Sequence, residues 1–378
     1  MNIVIVGWYG TETIGDRAIL SSLLMHFTSI ENHMCFKIGS IYPFFTERTI
    51  LEDLSFWKNI VKNQDIDISI FDSRSDRELS AAIKTSDCVV VGGGPLCDMM
   101  SMYLVEYALK KAKKYHKKTM VYGCGIGPLY TKEFKKCTKN IIENSDIVIL
   151  RDESSYMQCK DLQVNNIDSV FVSIDPAVFC VQTYKNLNKK VNSKNEIAIN
   201  LRDFPKNYKS PACSEKRPFN EITFDIVKRL EKYGRNIHLI GMHSFCVGND
   251  DREILNKFKY LVNSDVIVAN DPMTLEQTME CFQNAEYCVG MRFHAVVLQT
   301  LLNGNNYILN YTDITNGKIP AFLSQIHGTT FYANRNINLQ KLDGETTFIL
   351  TKERFSYKEA LIAQYEKTYL EAIDALMH

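Results

Sequence analysis

The sequence has no excess of charge of either sign. It contains 44 Lys and Arg residues against 44 Asp and Glu residues, so its formal net charge at pH 7 is +0. A protein that binds nucleic acid over a broad surface needs a marked basic excess, and we therefore expect no nucleic-acid partner. The hydrophobic share of 45% is typical of a globular protein rather than a disordered one.

Long apolar runs and cysteine motifs are also missing. No stretch reaches the roughly 18 uninterrupted apolar residues of a transmembrane helix, and the opening MNIVIVGWYG has neither the basic start nor the long apolar core of a signal peptide. The 11 cysteines form no CxxC pair and no zinc-ligand spacing, so we expect reduced thiols in the core and no metal site. Together these absences predict a cytoplasmic protein.

Two common phosphate-binding motifs are absent as well. The glycine-containing stretch GWYGTETIGDRAIL (7–20) follows the first apolar run, but it matches neither GxGxxG nor a Walker A loop, because no Gly-Lys-Ser/Thr follows. This argues against a dinucleotide-dependent dehydrogenase.

Short apolar runs alternate with helical patterns along the chain. In the first half, NIVIVG (2–7), CVVVGGG (88–94) and DIVILRD (146–152) are typical of buried strands, and amphipathic helical patterns separate them. The alternation restarts at EIAINLRD (196–203). This order predicts an α/β fold whose parallel sheets are covered on both faces.

The restart also predicts the domain organisation. Residues 181–195 are polar and rich in Asn and Lys, as expected of a linker. We therefore predict a Rossmann-like domain over 1–180, a second over 196–345, and a C-terminal amphipathic helix within 346–378. Two such domains are expected to face a cleft, since open α/β sheets bind ligands at the carboxyl ends of their strands.

Glycine turns follow three strands of the first half. Gly10 and Gly15 lie in the first turn, Gly93 and Gly94 lie in GGGPLCD (92–98), and a third turn reads GCGIGP. Glycine lets backbone N–H groups come close to a ligand, and a helix N-terminus favours anions. We predict that these turns line one side of the cleft.

Two acidic residues accompany the turns. Asp16 lies in the first turn of the predicted helix, where it either caps the helix or acts on a ligand hydroxyl, by orienting it or accepting its proton. Asp98 either caps a tight turn or holds a ligand hydroxyl. Position alone favours the cap for Asp16 and does not decide for Asp98.

The most informative motif of the second half is GMRFHAVV (290–297). Arg292 offers a planar fork for carboxylate or phosphate, and His294 can donate or accept a proton. Arg202, at the end of a strand in the same half, is expected at the same sheet edge, so that the two Arg residues form a clamp for a doubly charged anion. The alternative is an Arg paired with a structural carboxylate and a His that caps the helix.

These motifs, in this order, resemble the polysaccharide pyruvyl transferase family from Gly7 to about Lys318. The matching stretches are GWYGTETIGDRAIL, VVVGGGPLCD, GCGIGPL, RDESS, DPAVF, NLRD and VGMRFHAVVLQTLLNG. The last is the most specific, because Arg-x-His on a strand-to-helix turn is the signature of that family. The sequence departs from the family at Thr13, where Asn is usual, and in YTDITNGKI, which replaces a compact Tyr-Asp-Pro-Lys run.

The resemblance implies a GT-B-like fold and the transfer of a pyruvyl group from phosphoenolpyruvate to a sugar of a cell-surface glycan or its precursor, as a pyruvate ketal. Phosphoenolpyruvate is then a co-substrate, with no further cofactor and no metal. Arg202, Arg292 and His294 fall on the donor-binding positions, and Asp16 and Asp98 on the acids of the acceptor-side glycine loops. We predict that His294 is the general acid and that Asp16 or Asp98 is the base or the hydroxyl orienter.

Alternatives stay open at this point. A glycosyltransferase that uses a nucleotide-sugar, or a non-catalytic sensor of sugars or anions, has the same two-domain arrangement. The acceptor is a sugar whose linkage to lipid, nucleotide or polymer the sequence leaves open. The lysine-rich stretch 110–118 is best interpreted as a solvated helix face; peripheral contact with the inner face of the membrane is the second interpretation.

Overall fold

The computed structural model describes residues 1–31, 33–61, 66–203, 219–245, 249–262, 265–313, 317–339 and 348–378. Within these ranges the chain forms two parallel β-sheets with interleaved helices. It divides into two compact units. The first unit consists of Met1–Glu12, Asp16–Cys180 and Glu359–His378, and the second of Thr13–Gly15 and Val181–Lys358.

The first unit contains eight strands in the part of the chain that the structure describes. The strands are β1 (Asn2–Gly7), β2 (Cys35–Ser40), β3 (Asp67–Asp72), β4 (Cys88–Gly92), β5 (Pro95–Leu96), β6 (Lys118–Ile126), β7 (Ile147–Leu150) and β8 (Val170–Val172). The helices that follow them are α1 (Ile14–Ile30), α2 (Pro43–Ile60), α3 (Asp76–Lys84), α4 (Met102–Lys114), α5 (Lys132–Glu143), α6 (Glu153–Asp161) and α7 (Ala177–Leu187). The sheet order is β3-β2-β1-β4-β6-β7-β8, with β5 beside β6. The chain changes direction across the sheet between β1 and β4, and ligands of open α/β sheets bind beside such a point.

The second unit has the same architecture. Its described strands are β9 (Lys194–Asn200), β10 (Asn236–Leu239), β11 (Val266–Val268), β12 (Ala285–Gly290), β13 (Asn306–Asn310) and β14 (Asn336–Asn338). Its described helices are α8 (Phe219–Glu231), α9 (Asp251–Lys259), α10 (Leu275–Asn284), α11 (Phe293–Leu302) and α12 (Lys318–Gln325). The sheet order is β11-β10-β9-β12-β13-β14, so the change of direction falls between β9 and β12.

The apolar runs form the cores as predicted. In β4, Val89 and Val90 are fully buried, as are Ile197 and Ile199 in β9, because helices cover both faces of a parallel sheet. Of the nine cysteines in the described ranges seven are buried, and none of the nine forms a disulfide, which agrees with small core side chains. The α/β prediction is confirmed.

Two boundaries differ from the predicted organisation. Helix α7 runs to Leu187 and β9 begins at Lys194, so 181–195 is not one continuous linker. Val181 and Tyr184 are buried and extend the helix into the stretch that looks polar in sequence. The final helix, α13 (Glu359–Met377), belongs to the first unit rather than forming a separate segment. The predicted boundary at 345 lies outside the described residues.

One further property concerns membranes. Among the described residues, none of the helices combines the length and the hydropathy needed to cross a bilayer.

Candidate active site

Arg292 follows β12, directly before α11, and is held in one orientation. Its guanidinium group donates to Asp251, with Nε 2.7 Å from Oδ2 and Nη2 2.5 Å from Oδ1. Its backbone N–H donates to Asn200 Oδ1 at 3.1 Å. Burial opposes its charge, but the Asp251 carboxylate outweighs burial and raises the pKa of Arg292. The residue therefore stays cationic although it is largely buried.

Asp251 is fixed in turn by the loop after β10. Its Oδ2 accepts the backbone N–H groups of Met242 at 3.1 Å and of His243 at 3.2 Å. A carboxylate with this many donors is a rigid anchor, because charge-assisted bonds are stronger and more directional than neutral ones. Sequence reasoning missed Asp251; its position at the start of α9, after a strand of the same sheet, was the available signal.

Arg202 lies beyond the end of β9, close enough to Arg292 for their charges to interact. Its Nε donates to the carbonyl oxygen of Asp203 at 3.0 Å, and its Nη1 donates to Tyr311 Oη at 3.4 Å. Burial and the neighbouring Arg292 charge lower the pKa of Arg202. The structure therefore brings the two predicted Arg residues together, on either side of the point between β9 and β12 where the sheet changes direction.

Tyr311 lies at the centre of this cationic cluster. Burial alone would raise its pKa, but the positive charges of Lys318, Arg202 and Arg292 outweigh burial and lower it to about 8. A site that stabilises a phenolate so strongly has a positive potential and suits an anionic ligand. Sequence reasoning missed Tyr311, although its place directly after β13 puts it at the same sheet edge as Arg202.

His294 lies in the first turn of α11, against the segment Thr13–Gly15. A Cβ atom at Gly15 would lie 1.8 Å from Nδ1 of the His294 ring, so only glycine leaves room for the ring. The segment belongs to the second unit and is fixed there by a hydrogen bond from Ile14 N to Met242 O at 3.0 Å. Gly15 therefore positions the imidazole, and its predicted role on the acceptor side stays a prediction.

The predicted acid of the first unit lies beside a glycine turn. Asp16 is buried in the first turn of α1, and a Cβ atom at Gly93 would lie 3.3 Å from its Oδ1. Burial and the Asp16 charge raise the pKa of Tyr9, which keeps this phenol protonated. Gly93 has φ of +81° and Gly94 has φ of +73°, and such angles favour glycine. The Asp16–Gly93 arrangement falls at the point between β1 and β4 where the first sheet changes direction.

Two further glycines shape the same loops. Gly94 leaves room for the indole of Trp8, since a Cβ atom there would lie 1.5 Å from Cδ1. Gly10, at φ +82°, is enclosed by Ser40 and Tyr42. Close packing of the glycine turns thus serves the loop structure, and their predicted contact with a sugar stays a prediction.

Asp98 and Arg151 have structural partners. Both carboxylate oxygens of Asp98 lie 3.2 Å from the backbone nitrogen of Tyr130, so Asp98 fastens the loop after β6, and its predicted catalytic role stays a prediction. Arg151 forms a buried ion pair with Asp175 at 3.2 Å. In the described ranges, no group of three or more His, Cys, Asp or Glu side chains is arranged to hold a metal ion.

The fold is shared with solved structures of other proteins. Two parallel sheets with interleaved helices are common to the chain and to GT-B-like epimerases. It is similar to UDP-N-acetylglucosamine 2-epimerase from Rickettsia bellii, at 10% identity, with a TM-score of 0.57 over 99% of this chain and 96% of that one. It is also similar to the S. aureus MnaA–UDP co-structure, at 12% identity, with a TM-score of 0.55 over 99% and 88% of the two chains. The E. coli ADP-heptose LPS heptosyltransferase II aligns at 12% identity, with a TM-score of 0.44 over 100% and 98%.

The family is more specific than the fold. The family model for polysaccharide pyruvyl transferase matches residues 14–313, and the chain belongs to that family. It is therefore a transferase that acts in polysaccharide synthesis. No sequence among curated proteins matches the chain.

Proposed function

We propose that the protein transfers a pyruvyl group from phosphoenolpyruvate to two hydroxyl groups of a sugar in a cell-surface glycan or its precursor. The observation that supports this most is the cationic cluster of the second unit. Arg202, Arg292 and Lys318 together lower the pKa of Tyr311 to about 8, and a donor with both a carboxylate and a phosphate is suited to such a site.

The proposed reaction begins at the methylene carbon of the donor. His294 protonates that carbon, and positive charge develops on the carbon that bears the carboxylate and phosphate groups. One sugar hydroxyl adds there, the C–O bond to phosphate breaks, and the second hydroxyl closes the ketal. The two hydroxyl protons balance the proton taken up at the methylene carbon and the one that leaves with phosphate.

The remaining residues bind or orient the reactants in this proposal. Arg202 and Arg292 bind the two anionic groups and stabilise the departing phosphate. Asp16 orients a sugar hydroxyl or accepts its proton, while Asp98 is the second candidate for that role. Phosphoenolpyruvate acts as a co-substrate, and no other cofactor takes part.

Ligand-dependent thermal stability separates this function from its main alternative. A ligand that binds only the folded state raises the melting temperature. We expect phosphoenolpyruvate to raise it and Arg292→Lys to reduce the shift, because an ammonium group cannot form the guanidinium fork. Stabilisation by UDP- or GDP-sugars without an effect of phosphoenolpyruvate would instead indicate a glycosyltransferase.

Turnover tests the assignment of the acid. A general acid contributes about 10²–10⁴ to the rate, so His294→Ala should reduce phosphate release from phosphoenolpyruvate by a factor in that range. The control is His327→Ala, at an exposed position of the same unit. Normal turnover in His294→Ala would show that another group donates the proton.

A further inference from the structure

The lysine-rich stretch 110–118, on α4 and directly after it, is neutralised in part. Three of its lysines form ion pairs with carboxylates: Lys110 with Glu106, Lys111 with Asp76, and Lys113 with Asp146. Three of the six lysine charges of the stretch 110–118 are therefore balanced locally, which makes it less suited to an anionic partner than its sequence suggests.

A different surface of the first unit exposes large apolar side chains. They occupy the loops after β5 and β6 and the first turn of α4, and they form what we call the methionine–tyrosine patch: Met99, Met100, Tyr103 and Tyr130. Their exposed fractions run from 37% for Met99 to 76% for Met100. Single exposed apolar residues are common, whereas adjacent ones that share a surface indicate an interaction site.

The patch is one ordered surface. Asp98, directly before Met99, accepts the backbone N–H groups of Tyr130 and Thr131 at 3.2 Å, which joins the two loops. The Tyr103 ring packs against Phe134 of α5, with ring centroids 5.3 Å apart. The apolar side chains are thus held in place on a frame that includes the start of α5.

Three lysines lie on that same part of α5. Lys132, Lys135 and Lys136 are exposed, and their spacing of three and four residues places them on one helix face. Within the described ranges, none of the three has a carboxylate at ion-pair distance, whereas Lys139 on the next turn lies 3.7 Å from Glu143. Glu133 also lies in the first turn of α5, so the start of the helix carries three lysines against one carboxylate and keeps a positive charge beside exposed Met and Tyr side chains.

We propose that the methionine–tyrosine patch and these three lysines dock the protein onto an anionic lipid surface. The apolar side chains enter the headgroup region, where amphipathic tyrosines are favoured, and the lysines contact anionic headgroups. Because the whole chain has a net charge of +0, the attraction depends on this local charge. The purpose of docking rests on the proposed function: the β5 and β6 loops continue from the glycine turns assigned to the acceptor, so docking would present them to a lipid-linked sugar.

Co-sedimentation with lipid vesicles tests the proposal directly. The full chain is mixed with vesicles of phosphatidylcholine alone or of equal parts phosphatidylcholine and phosphatidylglycerol. We expect binding to the anionic vesicles, weakened by added salt. Each Lys→Gln change at 132, 135 or 136 should weaken binding about fivefold, and Met99→Ser with Met100→Ser should weaken it roughly tenfold.

Matched surface variants of the second unit are the controls. Lys189→Gln with Lys190→Gln removes exposed charge, and Tyr260→Ser with Leu261→Ser removes apolar side chains that are 82% and 53% exposed. These variants should bind vesicles like the unaltered chain. The proposal is overturned if the unaltered chain does not bind anionic vesicles, or if the patch variants bind as well as the controls. A dimer in solution that the Met99→Ser, Met100→Ser variant abolishes, without vesicle binding, would assign the patch to self-association instead.

The outcome is separable from that of the proposed function. The thermal shift caused by phosphoenolpyruvate should be the same in the patch variants and in the unaltered chain, because the cationic cluster lies in the other unit. Vesicle binding without any donor effect would support docking and contradict the proposed reaction. A thermal shift caused by phosphoenolpyruvate without vesicle binding would support the proposed reaction and contradict docking.

Discussion

Tyr311 is a buried phenol close to three cationic side chains. Its pKa of about 8 results from the charges of Lys318, Arg202 and Arg292, which outweigh the opposing effect of burial. A bound dianion would offset those charges, and the pKa of Tyr311 should then rise. The ionisation of this one side chain therefore reports whether an anion occupies the cluster.

Titration of tyrosinate absorbance checks this expectation. The unaltered chain should show one phenol that ionises near pH 8, and Tyr311→Phe should remove that transition. Saturating phosphoenolpyruvate should move it to higher pH. Tyr365→Phe is the control, since burial raises the pKa of Tyr365 and its loss should leave the transition near pH 8 unchanged. The cluster would be wrongly assigned if the transition survived in Tyr311→Phe or did not respond to the donor.

The Arg292–Asp251 pair predicts an effect on stability. Asp251→Ala leaves a buried guanidinium group without its carboxylate, and removing one partner of a buried pair costs about 3–5 kcal/mol of the free energy of unfolding. Changing both residues, Asp251→Ala with Arg292→Met, should cost less than the sum of the single changes. Denaturant unfolding of the single and double variants measures this coupling.

A more exposed pair of the same unit is the comparison. Arg235 Nε lies 2.6 Å from Glu286 Oε2, with the side chains 34% and 24% exposed. Glu286→Ala should cost at most about 1 kcal/mol, because solvent screens such pairs. Equal costs for Asp251→Ala and Glu286→Ala would contradict the structural role of the buried pair.

At the scale of elements, the first turn of α11 depends on a glycine far away in the chain. In Gly15→Ala the added methyl group would overlap the His294 ring, whose Nδ1 lies 1.8 Å from the Cβ position. The ring must move, and if His294 is the acid, phosphate release should fall toward the level of His294→Ala.

Gly234→Ala is the control: its φ is +61°, but a Cβ atom there meets nothing within 4 Å. It should reduce stability by about 1–2 kcal/mol and leave turnover unchanged. Unchanged phosphate release in Gly15→Ala would show that Gly15 does not determine the working position of the His294 ring.

The strands and the Arg292 turn were predictable because their signals are local. An apolar run that ends at a glycine or at a strand-to-helix turn predicts both a strand and the position of its end at the edge of the sheet. Asp251 was missed because it lies 41 residues from Arg292 along the chain, and no local pattern relates the two. Tyr311 was missed because a Tyr at the end of an apolar run looks like core, and only the three cations around it distinguish it.

At the scale of the whole molecule, the last helix completes the first unit. Glu366 Oε1 lies 3.2 Å from Nε2 of the buried His26, and Tyr369 Oη donates to the carbonyl oxygen of Ile174 at 2.7 Å. Tyr369 and Ile373 are fully buried. The sequence of α13 does not show which of the two units its apolar face packs against. The sequence alone therefore could not assign this helix to the first unit.

This placement predicts that residues 1–188 do not form a complete folding unit. Burying a large apolar side chain contributes about 1.5–3 kcal/mol, so loss of α13 removes an amount comparable with the 5–15 kcal/mol that stabilises a typical protein. A fragment of residues 1–188 should therefore unfold at a lower temperature than the first unit of the full chain.

A peptide of residues 359–378 should raise the unfolding temperature of the fragment as the peptide concentration increases. The same peptide with Tyr369→Ala should bind far more weakly, because the cavity it leaves costs about 3–5 kcal/mol. Cooperative unfolding of the fragment at the temperature of the full chain, with no response to the peptide, would show that the first unit is stable without its last helix.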